Sequence, residues 1–174
     1  REGQRVAVAP NMGCGTCDAC VAGSTHFCEN GYRAFGINLP GGLAEFTLIP
    51  ADAVRQGNLC PISPSLSFAA AALAEPLSCV YNAFQRCAIR PGDQVLIIGA
   101  GPIGLMHAKM AFMGGAAKVI LNDLSAERLE ECRRLEPDLV TLPGADPAAR
   151  LLEMTGGKGL EVTITACPAP EAQV

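Results

Sequence analysis

The sequence has no tryptophan, two tyrosines and two histidines, and aromatic residues make up 5% of its 174 positions. Any core built from it must be aliphatic. It also lacks a basic block: Lys and Arg total 13 against 17 Asp and Glu, a formal net charge of −4. That removes the electrostatic footprint of a nucleic-acid binder or of a protein held on anionic lipid. No apolar run reaches the roughly eighteen residues of a membrane span. Arg1 to Arg5 lack the charged-then-apolar layout of a signal peptide. They do not begin with Met and read as the run-in to a strand, so the chain reads as a piece of a longer one. The nine cysteines are an odd number, and five lie singly in apolar surroundings. This fits a reducing cytoplasm better than a disulfide scaffold.

What the chain does have is 49% hydrophobic residues and 19 glycines, the composition of an α/β interior packed through glycine turns. The clearest pattern runs from Gln94 to Asp123. Gln94–Ile98 is an apolar, β-branched run suited to one buried parallel strand. Gly99-Ala-Gly-Pro-Ile-Gly104 follows, then a helical segment to Met113 and a second β-branched run, Lys118–Asn122, that closes on Asp123. A dinucleotide fingerprint requires this context of strand, glycine turn, helix, strand and acid. Gly99 permits the turn, Gly101 lets a pyrophosphate approach, and Gly104 lets helix and sheet pack closely. Pro102, Ile103 and Gly104 open a helix whose first N–H groups and positive dipole end face the phosphates. Asp123 lies nineteen positions after Gly104, near the spacing of about twenty for an acid on the ribose 2′-hydroxyl. A carboxylate there repels a 2′-phosphate, so NAD is expected over NADP. Arg128, one turn into the next helix, and Cys167, after the fourth strand, are further cofactor-binding candidates. A glycine turn without a nucleotide is the alternative.

Cys14, Cys17, Cys20 and Cys28 fall within fifteen residues. The Cys-x-x-Cys steps can turn their sulfurs towards one tetrahedral centre, and an all-thiolate set selects zinc or an iron–sulfur cluster. A closed shell of four thiolates leaves no position for substrate, so the site is expected to be structural. Two disulfides are the alternative. His26 is expected at the surface.

Around these motifs, Arg5–Ala9 reads as a strand and Gly41–Pro50 as a glycine turn feeding a strand that Pro50 stops, with an ordered loop around Pro61 and Pro64. Ser67 reads as the N-cap of a helix that Glu75-Pro76 breaks, because the residue before a proline is pushed out of the α region. A second helix over about 77–88 follows. Glu75 stands among Leu73, Ala74 and Leu77 and reads as partly buried, which would require a metal, a cation or hydrogen bonds. A helix-terminal acid facing water or an arginine is the simpler alternative. Helices over 126–135 and 147–155 alternate with strands over 138–141 and 160–165, which means a parallel sheet with helices on both faces. Ala169 to Val174 begin a further element.

The cysteine lobe, the Gly41-Gly42-Leu-Ala-Glu-Phe46 stretch, Ala74-Glu-Pro-Leu77 and the Gly99–Asp123 fingerprint together resemble the zinc-dependent medium-chain dehydrogenases, nearest to the sorbitol (polyol) type. The resemblance implies a partial GroES-like catalytic domain over 1–75, with a structural-zinc lobe over 10–36, and a partial Rossmann NAD-binding domain over 76–174. It implies NAD-linked oxidation of a polyol or secondary alcohol, and it makes Glu75 a catalytic-zinc residue. A dimer or tetramer is implied by the same analogy. The family's other catalytic ligands fall before Arg1 and the nicotinamide half of its cofactor domain after Val174, so the chain as written is not expected to turn over. Neither His26 nor His107 stands in the ligand context. A threonine dehydrogenase-like enzyme and a non-catalytic nucleotide-binding or thiol redox-sensing protein are the alternatives.

Overall fold

The structure is a computed structural model, and it describes residues 2–168; the element expected over 169–174 lies outside them. The chain divides into two compact units, Arg1–Glu75 and Pro76–Val174.

The first unit consists of short β pieces and turns. Strand β1 (Val6–Val8) and strand β2 (Asn11–Met12) come first, then α1 (Asp18–Val21), a 3-10 turn at Thr25–Phe27 and β3 (Arg33–Ala34). Helix α2 (Ala51–Arg55), β4 (Leu59–Pro61) and α3 (Phe68–Ala72) complete it. β1 pairs antiparallel with β4, and β2 with β3. The 61–66 loop is held by Arg5, whose guanidinium donates to the carbonyls of Ser63, Pro64 and Leu66 and lies 4.3 Å over the Phe68 ring. Ser67 caps α3 by accepting the Ala70 N–H at 3.1 Å, as its residue type predicts.

Two sequence expectations fail in this unit. Residues 41–50 make bends and loop and no strand. Leu43, Phe46 and Leu48 there are almost fully exposed, so the apolar alternation is present but nothing buries it. A strand is stabilised by its cross-strand neighbours, and among the described residues no ladder reaches this segment. The helix break is also misplaced. It falls at Leu73, and Glu75-Pro76 sits inside the first turn of the next helix, α4 (Ala74–Cys87). A proline is tolerated there because the N–H it lacks would be unpaired anyway.

The second unit carries α4 into β5 (Gln94–Ile98), α5 (Pro102–Met113), β6 (Lys118–Asp123), α6 (Ala126–Leu135), β7 (Val140–Pro143), α7 (Ala148–Met154) and β8 (Val162–Thr165). The strands form one parallel sheet in the order β7-β6-β5-β8. The third and fourth strands begin two residues later than the sequence suggests, at Val140 and Val162. Successive residues of β5 alternate faces. Val95 and Ile97 join Val119, Leu121, Ile164 and the helix residues Ala108, Ala111, Leu129 and Cys132 in one core. Leu96 and Ile98 join Ile120 and Leu151 in the other. Helices α5 and α6 therefore cover one face and α7 the other. The order reverses at β5, which pairs β6 on one side and β8 on the other. That switch point is where an open α/β sheet leaves a crevice at its carboxyl ends. No helix among the described residues is long and apolar enough to cross a membrane.

Candidate metal centre and dinucleotide site

The four cysteines of the lobe come together. Their sulfurs all lie within 4.8 Å of one another, with Cys14 and Cys20 at 4.0 Å and Cys17 and Cys28 at 4.0 Å. A zinc–sulfur bond of about 2.3 Å gives a tetrahedron with edges of about 3.8 Å, so one ion fits this set. All nine cysteines are free thiols, and separations near twice the S–S bond length of about 2.05 Å exclude the two-disulfide alternative in this structure. Cys17 precedes α1 as its N-cap, Cys20 lies within α1, and Cys28 follows the 3-10 turn. Gly13 makes the close approach possible, since a Cβ there would fall 2.3 Å from the Cys20 sulfur.

The sulfurs are not equivalent. The Thr16 hydroxyl donates to Cys14 Sγ at 3.4 Å, as does the Thr16 N–H at 3.4 Å and the Cys17 N–H at 3.3 Å. These bonds, the Thr16 hydroxyl first among them, lower the Cys14 thiol to about 5, with the Asn30 side chain assisting. Cys20 is pushed up to about 11. The Gly15 N–H favours its thiolate, but burial and the neighbouring thiols outweigh that bond. A cation entering the group displaces the thiol protons. His26 is exposed, its ring tilted at 47° to that of Phe27 with centroids 4.2 Å apart, and it stands outside the sulfur group. The lobe is fastened to its unit by Gln56, which donates to the Gly13 carbonyl at 3.2 Å, and by buried Asn58, which donates to the carbonyls of Ala9 and Asn11.

In the second unit the glycine turn leaves β5 at the switch point. Gly99 has φ +113°, and a Cβ there would meet the Ala166 carbonyl oxygen at 2.8 Å and Cys167 Cβ at 3.1 Å. Cys167 is therefore packed beside the turn. A Cβ on Gly104 would lie 1.8 Å from the Gly99 oxygen, whereas one on Gly101 would meet nothing within 4 Å. Packing within the chain thus dictates Gly99 and Gly104 but leaves the space at Gly101 open. Gly101 caps α5 without a side-chain bond, and Pro102 follows at the start of the helix. The first N–H groups of this twelve-residue helix consequently face that open space. Ile103 is 39% exposed beside them.

Asp123 ends β6 next to the turn. One carboxylate oxygen accepts the Ala100 N–H at 2.7 Å and the other the Ser125 N–H at 2.8 Å. Burial would raise this carboxyl, but the N–H groups of Ser125 and Ala100 and the charge of Arg128 outweigh it and hold it below the usual range. An ionised carboxylate has about four acceptor positions, so both oxygens can still take a ribose hydroxyl. Arg128 is exposed one turn into α6, its N–H bonded to the Ser125 hydroxyl at 3.3 Å. Ala100 is held on its other side too, its carbonyl accepting from the buried Cys132 thiol at 3.5 Å.

Glu75 differs from its expectation. It is exposed, and Leu73 and Leu77 beside it are 50% and 41% exposed. It joins no metal-ligating cluster among the described residues. The reading of partial burial fails because the flanking leucines are themselves uncovered. His107 is buried in the stripe of α5 shared with Gly104, Ala108 and Ala111. Thr16, Asn30, Ala100 and Ser125 were not foreseen as site residues. A hydroxyl inside a Cys-x-x-Cys step is a readable signal for Thr16; the others act through contacts that sequence spacing does not encode.

Two family models match the chain: an alcohol dehydrogenase GroES-like domain over residues 1–58 and a zinc-binding dehydrogenase domain over 102–173. The chain is 37% identical to L-galactonate-5-dehydrogenase of Escherichia coli, covering 95% of itself and 47% of the relative. It is 40% identical to D-altritol 5-dehydrogenase of Agrobacterium fabrum, covering 74% of itself and 38% of the relative. Among solved structures it matches alcohol dehydrogenase TADH from Thermus sp. ATN1 with a TM-score of 0.86 and 30% identity, over 99% of this chain and 52% of that one. The chain spans about half the length of the relatives it matches or less.

Proposed function

The chain belongs to the zinc-dependent medium-chain dehydrogenase family, and from that premise we propose that it forms the structural-zinc lobe and the adenosine–pyrophosphate half of the cofactor site of an NAD-linked polyol or secondary-alcohol dehydrogenase. The observation that carries this reading is the glycine turn. Its two packing glycines are dictated by the chain itself, while Gly101 has nothing within 4 Å of its missing side chain. An open space in front of unpaired helix N–H groups suits a pyrophosphate.

The residues divide the work. Cys14, Cys17, Cys20 and Cys28 hold a structural zinc. Gly101, Pro102 and Ile103 present the α5 terminus to the phosphates, with Gly99 and Gly104 holding the turn in place. Asp123 takes the ribose hydroxyls and repels a 2′-phosphate, and Arg128 flanks the same ribose. Cys167 lines the switch point beside Gly99. When bound, NAD supplies the hydride acceptor. Among the described residues Glu75 belongs to no group of three or more candidate metal ligands, so the metal chemistry of this family gains only one residue here. Glu75 is the chain's proposed contribution to a catalytic zinc. A homo-oligomer and a cytoplasmic location belong to the same proposal.

Calorimetric titration of the zinc-loaded chain with NADH and NADPH tests it. NADH should bind saturably and NADPH at least about tenfold more weakly, a difference of about 1.4 kcal/mol. Equal affinities would remove the role given to Asp123, and no binding of either would remove the dinucleotide reading.

A further inference from the structure

The hydrogen bonds on the Cys14 sulfur single it out from the other three. We propose that Thr16 is a positioning residue for the metal of the cysteine lobe, its hydroxyl making Cys14 the anchoring and least reactive of the four thiolates. The inference rests on the zinc reading above and adds an order among its ligands.

Three donors lie at 3.3–3.4 Å from Cys14 Sγ: the Thr16 hydroxyl, the Thr16 N–H and the Cys17 N–H. Cys28 Sγ accepts the Cys14 N–H at 3.3 Å, and Cys17 Sγ faces Cys28 Sγ at 4.0 Å. Backbone N–H groups would be present whatever residue stood at position 16, but the hydroxyl is particular to this one. A thiolate that accepts hydrogen bonds has its lone-pair charge dispersed and its direction fixed. It is held towards the ion before the ion arrives, and once bound it attacks electrophiles more slowly. The remaining sulfurs, with fewer donors, form the side of the cluster where exchange begins. Thr16 is exposed and packs against no core, so its replacement tests the hydrogen bond with little loss of packing.

The experiment compares wild type, Thr16→Val and Thr16→Ser in the zinc-loaded full chain. Zinc transfer to a chromogenic chelator should be about tenfold faster in T16V, and close to wild type in T16S. With cobalt in place of zinc, the sulfur-to-metal charge-transfer band should move to longer wavelength in T16V and stay in place in T16S. Under limiting iodoacetamide, mass spectrometry should find Cys14 the last of the four to be alkylated in wild type, with that protection reduced in T16V. Cys14 alkylated first in wild type would overturn the proposal without any variant. So would a T16V chain matching wild type in rate, band and order, or T16S behaving as T16V does. A wild-type chain that takes up no zinc would remove the metal reading itself, which separates that failure from this one.

Discussion

The two units of this chain are held together by different physics. Among the described residues through Glu75 the buried apolar ones are Met12, Cys20, Ala34, Ala53 and Ala71, all small except Met12. In the second unit a continuous core joins Val95, Ile97, Val119, Leu121, Leu129, Leu139 and Ile164 beneath α5 and α6. Burying each large aliphatic side chain contributes about 1.5–3 kcal/mol, so the sheet has a driving force of its own and the lobe has little. In place of a core the lobe has four sulfurs within 4.8 Å of one another. A structural zinc contributes about 10 kcal/mol or more in small metal-folded domains. One region thus offers a set of metal ligands where the other has apolar burial.

Removing the ion gives the largest expected effect. Under a strong chelator, hydrogen exchange should lose protection across the cysteine lobe while the amides of β5 and β6 keep theirs. Loss of protection in both units together would erase the distinction. Gly104→Ala should break the second unit instead, because its Cβ would lie 1.8 Å from a backbone oxygen that cannot move aside. The expected cost is about 3 kcal/mol or more, seen as a lowered Tm with zinc content unchanged.

Gly101→Ala should separate ligand from fold. With φ −82° and open space around it, the change should alter stability by less than about 1 kcal/mol. NADH affinity should fall by about tenfold, and unchanged affinity would show that no pyrophosphate approaches there. Asp123→Gly should bring the NADH and NADPH affinities together. It should also destabilise the unit by about 1–2 kcal/mol, because the Ala100 and Ser125 N–H groups lose their acceptor.

The smallest effect concerns pH. Burial lowers His107 below its usual 6.5, and its Nδ1 has no partner. The folded unit therefore binds fewer protons than the unfolded chain as pH falls through about 6.5, and it loses stability in that direction. The loss is complete below the lowered value. His107→Leu should flatten the Tm slope between pH 7.5 and 5.5; an unchanged slope would assign it to other groups.

The same division explains what was legible in the sequence. The elements from Gln94 to Met154 are long or strongly patterned, and Ser125 caps α6 as its residue type predicts. The cysteine spacing likewise encodes its own cluster, since the ligands are local in sequence. Residues 41–50 were misread because a strand needs partners, and Glu75 because the burial of a helix residue depends on what covers its neighbours. The brace between Asp123 and Ala100 joins positions 23 apart, and no periodicity marks it.

Metal content of the purified chain tests the account most directly. The account predicts close to one zinc per chain, with Cys14, Cys17, Cys20 and Cys28 alkylated far more slowly while the metal is bound than after it is removed. A metal-free chain whose four thiols oxidise and reduce reversibly would contradict it and favour a thiol redox sensor.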